Sequence, residues 1–261
     1  MKTLLLSTVA LLGLTIAAGA ADLPRRSAPP VLAVPVPAFT WTGFYLGLSA
    51  GYAFSEANIR TSGNAANTIA NVGALARPPG FSFDNDGFIG GAQVGYNLQF
   101  GMFVAGVEAD ISYTDLSSRG TYASPVTFGP ALAGTRSTFR QELDYLGTVR
   151  ARLGVAFDRA LVYATGGLAY GDVNYGADFF NSPGALQFTG RDSGVEVGYA
   201  LGGGFEYAFT NNLTFKAEYL YYDLGSKNVL VNAVPGVGLN SYTSRFETDG
   251  HIGRVGVNFK F

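Results

Sequence analysis

Cysteine is absent from all 261 residues. That excludes disulfide staples and lipid attachment at a cleavage-site cysteine. Histidine is nearly absent too: His251 stands alone, and no metal-ligand spacing surrounds it. Charge is scarce. Asp, Glu, Lys and Arg make up 14% of the chain, against roughly 25% in soluble domains. The net charge is −2 and no basic run interrupts the sequence, so no electrostatic footprint for nucleic acid exists. A membrane-crossing helix is missing as well. The uncharged stretch Gly87–Val107 carries six glycines together with Gln93, Asn97 and Gln99, which makes a poor helix. The uncharged stretch after Arg26 is broken by Pro29, Pro30, Pro35 and Pro37.

What is present begins with an export signal. Met1 and Lys2 form a short positive start, and Leu4–Ala18 is a run of apolar and small residues. Ala18, Gly19 and Ala20 then offer a cleavage site, so removal is expected after about Ala20. A Pro-rich linker follows over residues 21–40. The remainder, 41–261, is rich in glycine (36 in the whole chain) and in aromatics (14%, nearly all Phe and Tyr).

From Trp41 onward polarity alternates with period two, which is the signature of strands with one apolar face. Eight strands are predicted: Trp41–Ser55, Asp86–Phe100, Met102–Thr114, Glu142–Phe157, Ala160–Asp172, Ser193–Phe209, Asn212–Leu224 and Thr248–Phe261. The faces of the fifth are ambiguous. Three connections are tight, near Gly101, Asp158 and Asn211. Four are long: about 56–85, 115–141, 173–192 and 225–247. Long and short alternate strictly, as in a transmembrane barrel with short periplasmic turns and longer outer loops.

Alternation alone would equally suit a soluble sandwich. The export signal, the loop asymmetry and the aromatics near strand ends favour the barrel. Phe44, Phe100, Phe103, Phe157, Phe209 and Phe215 mark one girdle; Tyr52, Tyr113, Tyr145, Tyr221 and Tyr222 mark the other. The fold class is therefore all-β, an eight-stranded antiparallel transmembrane barrel in the outer membrane. Val257, Phe259 and Phe261 end the chain on alternating apolar residues, and Phe261 serves as the assembly signal. Expected partners are outer-membrane lipid and lipopolysaccharide, and the barrel assembly machinery through the last strand.

On this phase ten charges point inward: Glu108, Asp110, Arg150, Arg152, Glu196, Glu206, Lys216, Glu218, Arg254 and Lys260. A one-residue slip of the fourth strand would turn Arg150 and Arg152 into lipid, at about 2–4 kcal/mol each near the midplane. Charge therefore fixes the register. The ten charges read either as an ion-selective pore lining or as a salt-bridged plug, and a lumen only as wide as its side chains favours the plug. Gly202, Gly203 and Gly204 read as strand bends or as room for facing side chains.

The segments Trp41–Gly47 (WTGFYLG), Asp144–Gly154 (DYLGTVRARLG), Leu161–Gly171 (LVYATGGLAYG) and Lys216–Gly225 (KAEYLYYDLG) resemble a family of small barrels. Its type members are the 25- and 31-kDa major outer-membrane proteins of alphaproteobacteria. The resemblance covers residues 41–261. It implies an often immunogenic surface protein of porin-like description, and some members are credited with haemin binding. Three functions stay open: a structural envelope protein, a narrow porin for small solutes or ions, and a loop-based binder of haemin or a host ligand. His251 falls on the lipid face near the outer end of the last strand and reads as a girdle residue. No adjacent serine accompanies it, so the chain is read as no enzyme, with no cofactor and no metal.

Overall fold

The structure is a computed structural model that describes residues 39–127 and 133–261. The export signal and most of the Pro-rich linker lie outside the described residues. The elements are β1 (Gly43–Gly63), α1 (Ala66–Gly73), β2 (Gly80–Asp84), β3 (Gly87–Phe100), β4 (Phe103–Ala123), β5 (Arg136–Phe157), β6 (Ala160–Phe180), β7 (Leu186–Ala208), β8 (Leu213–Ala233) and β9 (Ser241–Lys260).

Eight of the strands close a ring. Each pairs with its sequence neighbour from β3 to β9, and β1 joins β3 on one side and β9 on the other. Every pairing is antiparallel. Closure leaves the ring without a free edge, which is what a sheet in hydrocarbon requires. The short β2 lies against β1 over Glu56–Arg60, beyond the end of the β1–β3 ladder. Tight turns at Gly101 (φ +62°) and Asp158 (φ +54°) close the end that also holds both ends of the ring. That end is called the turn end here, and the opposite one the loop end.

The strands run much further than the alternation suggested. Of the residues expected in long loops, 56–63, 80–84, 115–123, 136–141, 173–180, 186–192, 225–233 and 241–247 are strand, and 66–73 are helix. Two physical causes hid them. First, the polarity pattern inverts toward the loop end. On β9, Val255, Val257 and Phe259 face out and Arg254, Asn258 and Lys260 face in. Beyond Gly250 the same parity holds, but Tyr242 and Phe246 are now buried inside and Arg245 is exposed outside. Second, bulges flip the phase. On β5 the buried set is Leu146, Thr148, Arg150 and Arg152 below an irregularity at Leu143–Tyr145, and Phe139, Gln141 and Leu143 above it. On β8 a break between Asp223 and Ser226, containing Gly225 at φ +82°, does the same.

The faces of β6 are now assigned. Leu161, Tyr163 and Thr165 are buried inside, and Val162 and Leu168 are exposed outside. Both faces are apolar near the turn end, so no contrast in polarity was available to read.

Candidate functional site

The interior has two storeys. The lower one is ionic and occupies the turn-end half. Lys216 on β8 bonds Glu108 on β4 at 3.0 Å, and those two strands lie diametrically opposite in the ring. Arg150 on β5 reaches Glu108 at 2.7 Å, Asp110 at 3.0 Å and Glu218 on β8 at 3.2 Å. Arg254 on β9 bonds Glu218 at 2.6 Å and Asp110 at 3.0 Å. Arg152 bonds Glu206 on β7 at 2.8 Å and sits 3.9 Å from the centre of the Tyr163 ring. Four carboxylates thus meet four cations, and all eight side chains are buried. Tyrosines complete the shell. Tyr45 donates to Glu108 at 2.7 Å, and Tyr163 donates to Glu218 at 2.9 Å.

Glycine makes the room. A side chain at Gly95 would strike the Tyr45 ring, with its Cβ 2.2 Å from the hydroxyl oxygen. At Gly204 it would lie 2.6 Å from the Tyr163 hydroxyl oxygen. The Gly202–Gly204 run therefore gives space to facing side chains.

The upper storey is apolar and aromatic. Phe139 on β5 meets Phe246 on β9 at 6.2 Å between ring centres, again across the full ring. Phe179 meets Tyr242 at 5.2 Å, and Phe188 meets Tyr242 at 4.9 Å. Leu116, Val173, Val229 and Val231 fill the remaining space. The α1 segment leans on this core. Val72 packs against it, and the Asn71 side chain donates to the Tyr242 hydroxyl at 3.0 Å. Arg77 follows, buried 4.9 Å from the Phe179 ring centre and donating to the Arg136 carbonyl at 2.6 Å. Burial holds the Arg77 guanidinium below its ordinary pKa.

The turn end has its own small core. Trp41 is buried with Val104, Leu161 and Tyr163, and its indole N–H donates to the Asp158 carbonyl at 3.2 Å. Phe39 packs edge-on to Trp41 at 5.1 Å.

Of the ten inward charges expected from the alternation, eight form this cluster. Glu196 does not. It sits far up β7 toward the loop end, where it accepts from Lys227 at 2.9 Å. That ion pair holds the Lys227 ammonium above its ordinary pKa. Inward parity was not enough, because β7 extends well past the ionic storey. Lys260 also stays apart. Its ammonium donates to the carbonyls of Thr40 and Thr42 and lies 5.0 Å from the Phe39 ring centre. Tyr222, expected in the outer girdle, is buried inside at 1% exposure. Adjacent tyrosines on a strand must face opposite ways, and Tyr221 takes the outer side. The whole aromatic storey escaped the sequence reading. Its signal was the inverted alternation in 173–179 and 242–248, where aromatic and β-branched residues face in.

His251 lies exposed on the outer wall, hydrogen-bonded to the Tyr219 hydroxyl at 2.7 Å and 5.2 Å from the Tyr221 ring. Among the described residues no group of three or more His, Cys, Asp or Glu is arranged to hold a metal ion. Phe261 is exposed, 5.2 Å from Phe259 on the outer face.

The model of the family described as "Outer membrane protein beta-barrel domain" matches residues 8–261. The "31 kDa outer-membrane immunogenic protein" of Brucella melitensis is 35% identical over 277 aligned positions, covering 100% of both chains. The "22 kDa outer membrane protein" of Rhizobium leguminosarum is 33% identical, over 74% of this chain and 68% of its own. Among solved structures, the outer membrane protein OprG of Pseudomonas aeruginosa superposes with a TM-score of 0.51 at 14% identity, covering 85% of this chain and 98% of that one. That last likeness shows the fold alone.

Proposed function

We propose, for a chain that belongs to the outer-membrane β-barrel protein family and resides in the outer membrane, a structural surface role with a closed lumen. The observation that carries this reading is the set of contacts crossing the interior. A pore lining keeps its charges on the wall with water between them. Here Lys216 and Glu108 touch from opposite sides of an eight-stranded ring. An interior of that size is just wide enough for side chains to fill. Above the ions, Phe139 and Phe246 meet from opposite sides as well. A solute would have to part both storeys.

Among the described residues, the segments presented to the outside are 64–86 with α1 and β2, 124–127, 133–135, 181–185 and 234–240. They are the natural sites for antibody recognition, in keeping with relatives named as immunogenic. The exposed alternation of Val257, Phe259 and Phe261 supports a role for the last strand as the segment read by the assembly machinery. Each acid of the inner cluster is matched to a cation, an arrangement that suits a structural role and not catalysis.

Planar-bilayer recording on the refolded protein is the test. No steady conductance is expected; stable channels of nanosiemens size would reject the closed lumen. Haemin titration gives a second check. His251 is engaged by Tyr219 on the outer wall, so no saturable binding that disappears in His251→Ala is expected.

A further inference from the structure

The outer wall carries no arginine in its apolar belt, but several beyond it. Arg60 on β1 stands directly across from Arg245 on β9. Arg119 on β4 stands directly across from Arg140 on β5. Arg140 in turn faces Gly176 on β6, and Gly176 faces Arg191 on β7. Gly176 lets the two arginines close on each other: a Cβ there would lie 3.1 Å from the Arg191 Nη1 and 3.6 Å from the Arg140 Cβ.

Like charges placed directly opposite on one sheet face destabilise it. Every arginine of the inner cluster is ion-paired, and Arg191 reaches Asp178 at 3.2 Å. Among the described residues, Arg60, Arg119, Arg140 and Arg245 have no carboxylate within ion-pair distance. Two cross-strand pairs of guanidinium groups that make no ion pair, on different sides of one barrel and with Glu247 the carboxylate bordering the first, leave donors free for an anion supplied from outside.

Their height says which anion. Arg119 is six positions past Tyr113, Arg60 six past Phe54, and Arg245 six before His251, all three counted from the outer aromatic ring. At about 3.3 Å per residue and a tilt of about 40°, the pairs stand roughly 15 Å above that ring. They also project sideways from the wall, not up from the loops. On the flank of a barrel that resides in the outer membrane, that height lies at and above the lipid headgroups, within reach of a lipid that carries a large polar head. A concavity of about 580 Å³ beside the second pair is lined by Arg140 and Arg191, by the neutral donors Asn174 and Ser193, and by the carboxylates Glu142 and Asp192.

We propose that the Arg60–Arg245 and Arg119–Arg140 pairs bind phosphate groups of the phosphorylated glycolipid of the outer leaflet, lipopolysaccharide. One phosphate bridges two guanidinium groups in each pair, because a guanidinium offers a planar fork of donors suited to phosphate oxygens. The inference rests on outer-membrane residence and not on the closed lumen, so a conductance result leaves it standing.

The test uses the exported protein, purified from outer membranes, stripped of lipid and reconstituted in phosphatidylcholine bilayers. Thermal unfolding is followed with lipopolysaccharide, with dephosphorylated lipopolysaccharide, and with soluble heparin. Wild type is compared with R60Q/R245Q and with R119Q/R140Q. Lipopolysaccharide is expected to raise the wild-type unfolding temperature, and its dephosphorylated form is not. Each double variant is expected to lose a large part of the shift. In phosphatidylcholine alone both variants are expected to be at least as stable as wild type, since repulsion is removed. Variants that keep the full shift, equal stabilisation by the dephosphorylated lipid, or lower stability of the variants in plain bilayers would overturn the proposal. Stabilisation by heparin alone would also overturn it, and would identify a soluble polyanion as the partner.

Discussion

Arg150 ties together both sides of the interior. It is buried and within ion-pair distance of three carboxylates on two strands. Removing it leaves Glu108, Asp110 and Glu218 with less compensation than burial demands. Breaking a buried pair typically costs about 3–5 kcal/mol. Arg150→Ala is expected to fall in that range, read as a lowered urea midpoint for the folded barrel in detergent micelles. Arg150→Ala combined with Glu218→Gln is expected to lose less than the two singles added together, because one carboxylate no longer needs its cation. The same logic explains why the inward charges, and the pairing of Glu108 and Asp110 with Arg150 on the next strand, were legible in sequence while the partners across the ring were not. Inward parity is local to a strand. Whether Lys216 meets Glu108 or Glu206 depends on the stagger between strands on opposite sides of the ring.

A strand here serves two solvents along one length. The turn-end part of β9 shows Val255, Val257 and Phe259 to lipid, while the loop-end part buries Tyr242 and Phe246 and exposes the polar Arg245 on the outer side. Both parts alternate, but with opposite sense. Scored as lipid-facing strand, the second part looks like loop, and the bulge between Leu143 and Tyr145 on β5 breaks the count besides. The distinction can be tested by insertion. A short epitope tag placed within 234–240 is expected to leave the folded, heat-modifiable band on gels intact, because that segment connects two strands. The same tag placed after Tyr175, inside a stretch that sequence assigns to a loop, is expected to abolish the band. Tyr175 is buried there against Phe246, and burial pushes its hydroxyl up to a pKa of about 12.

Three layers of side chains cross the interior along its axis: Trp41 and Phe39 at the turn end, the ion cluster, and the aromatic storey under α1. Tyr163 joins the first two, while the aromatic storey shares no residue with either. Deleting residues 66–73 is therefore expected to lower the unfolding temperature by exposing Tyr242 and Val72's neighbours, yet to produce no steady bilayer conductance. Channels appearing on that deletion alone would mean that the ionic storey is permeable by itself. The arginines of the ion cluster are balanced by acids, whereas buried Arg77 rests on a carbonyl and a ring and, among the described residues, the arginines of the two outward cross-strand pairs make no ion pair.

Sequence alone settled whatever depends on a local period. Residues 41–261 had to form strands, the strands near their turn ends had to show one greasy face, and lipid required closure, because unpaired backbone is too costly in hydrocarbon. Eight strands, their order and most facings followed from that. Tertiary structure decided what depends on register among distant strands: which acid meets which base, where the phase flips, how far each strand outruns the membrane, and which arginines come to stand side by side. Those outcomes are set by stagger and bulges summed around the ring, and no window of a single strand contains that sum.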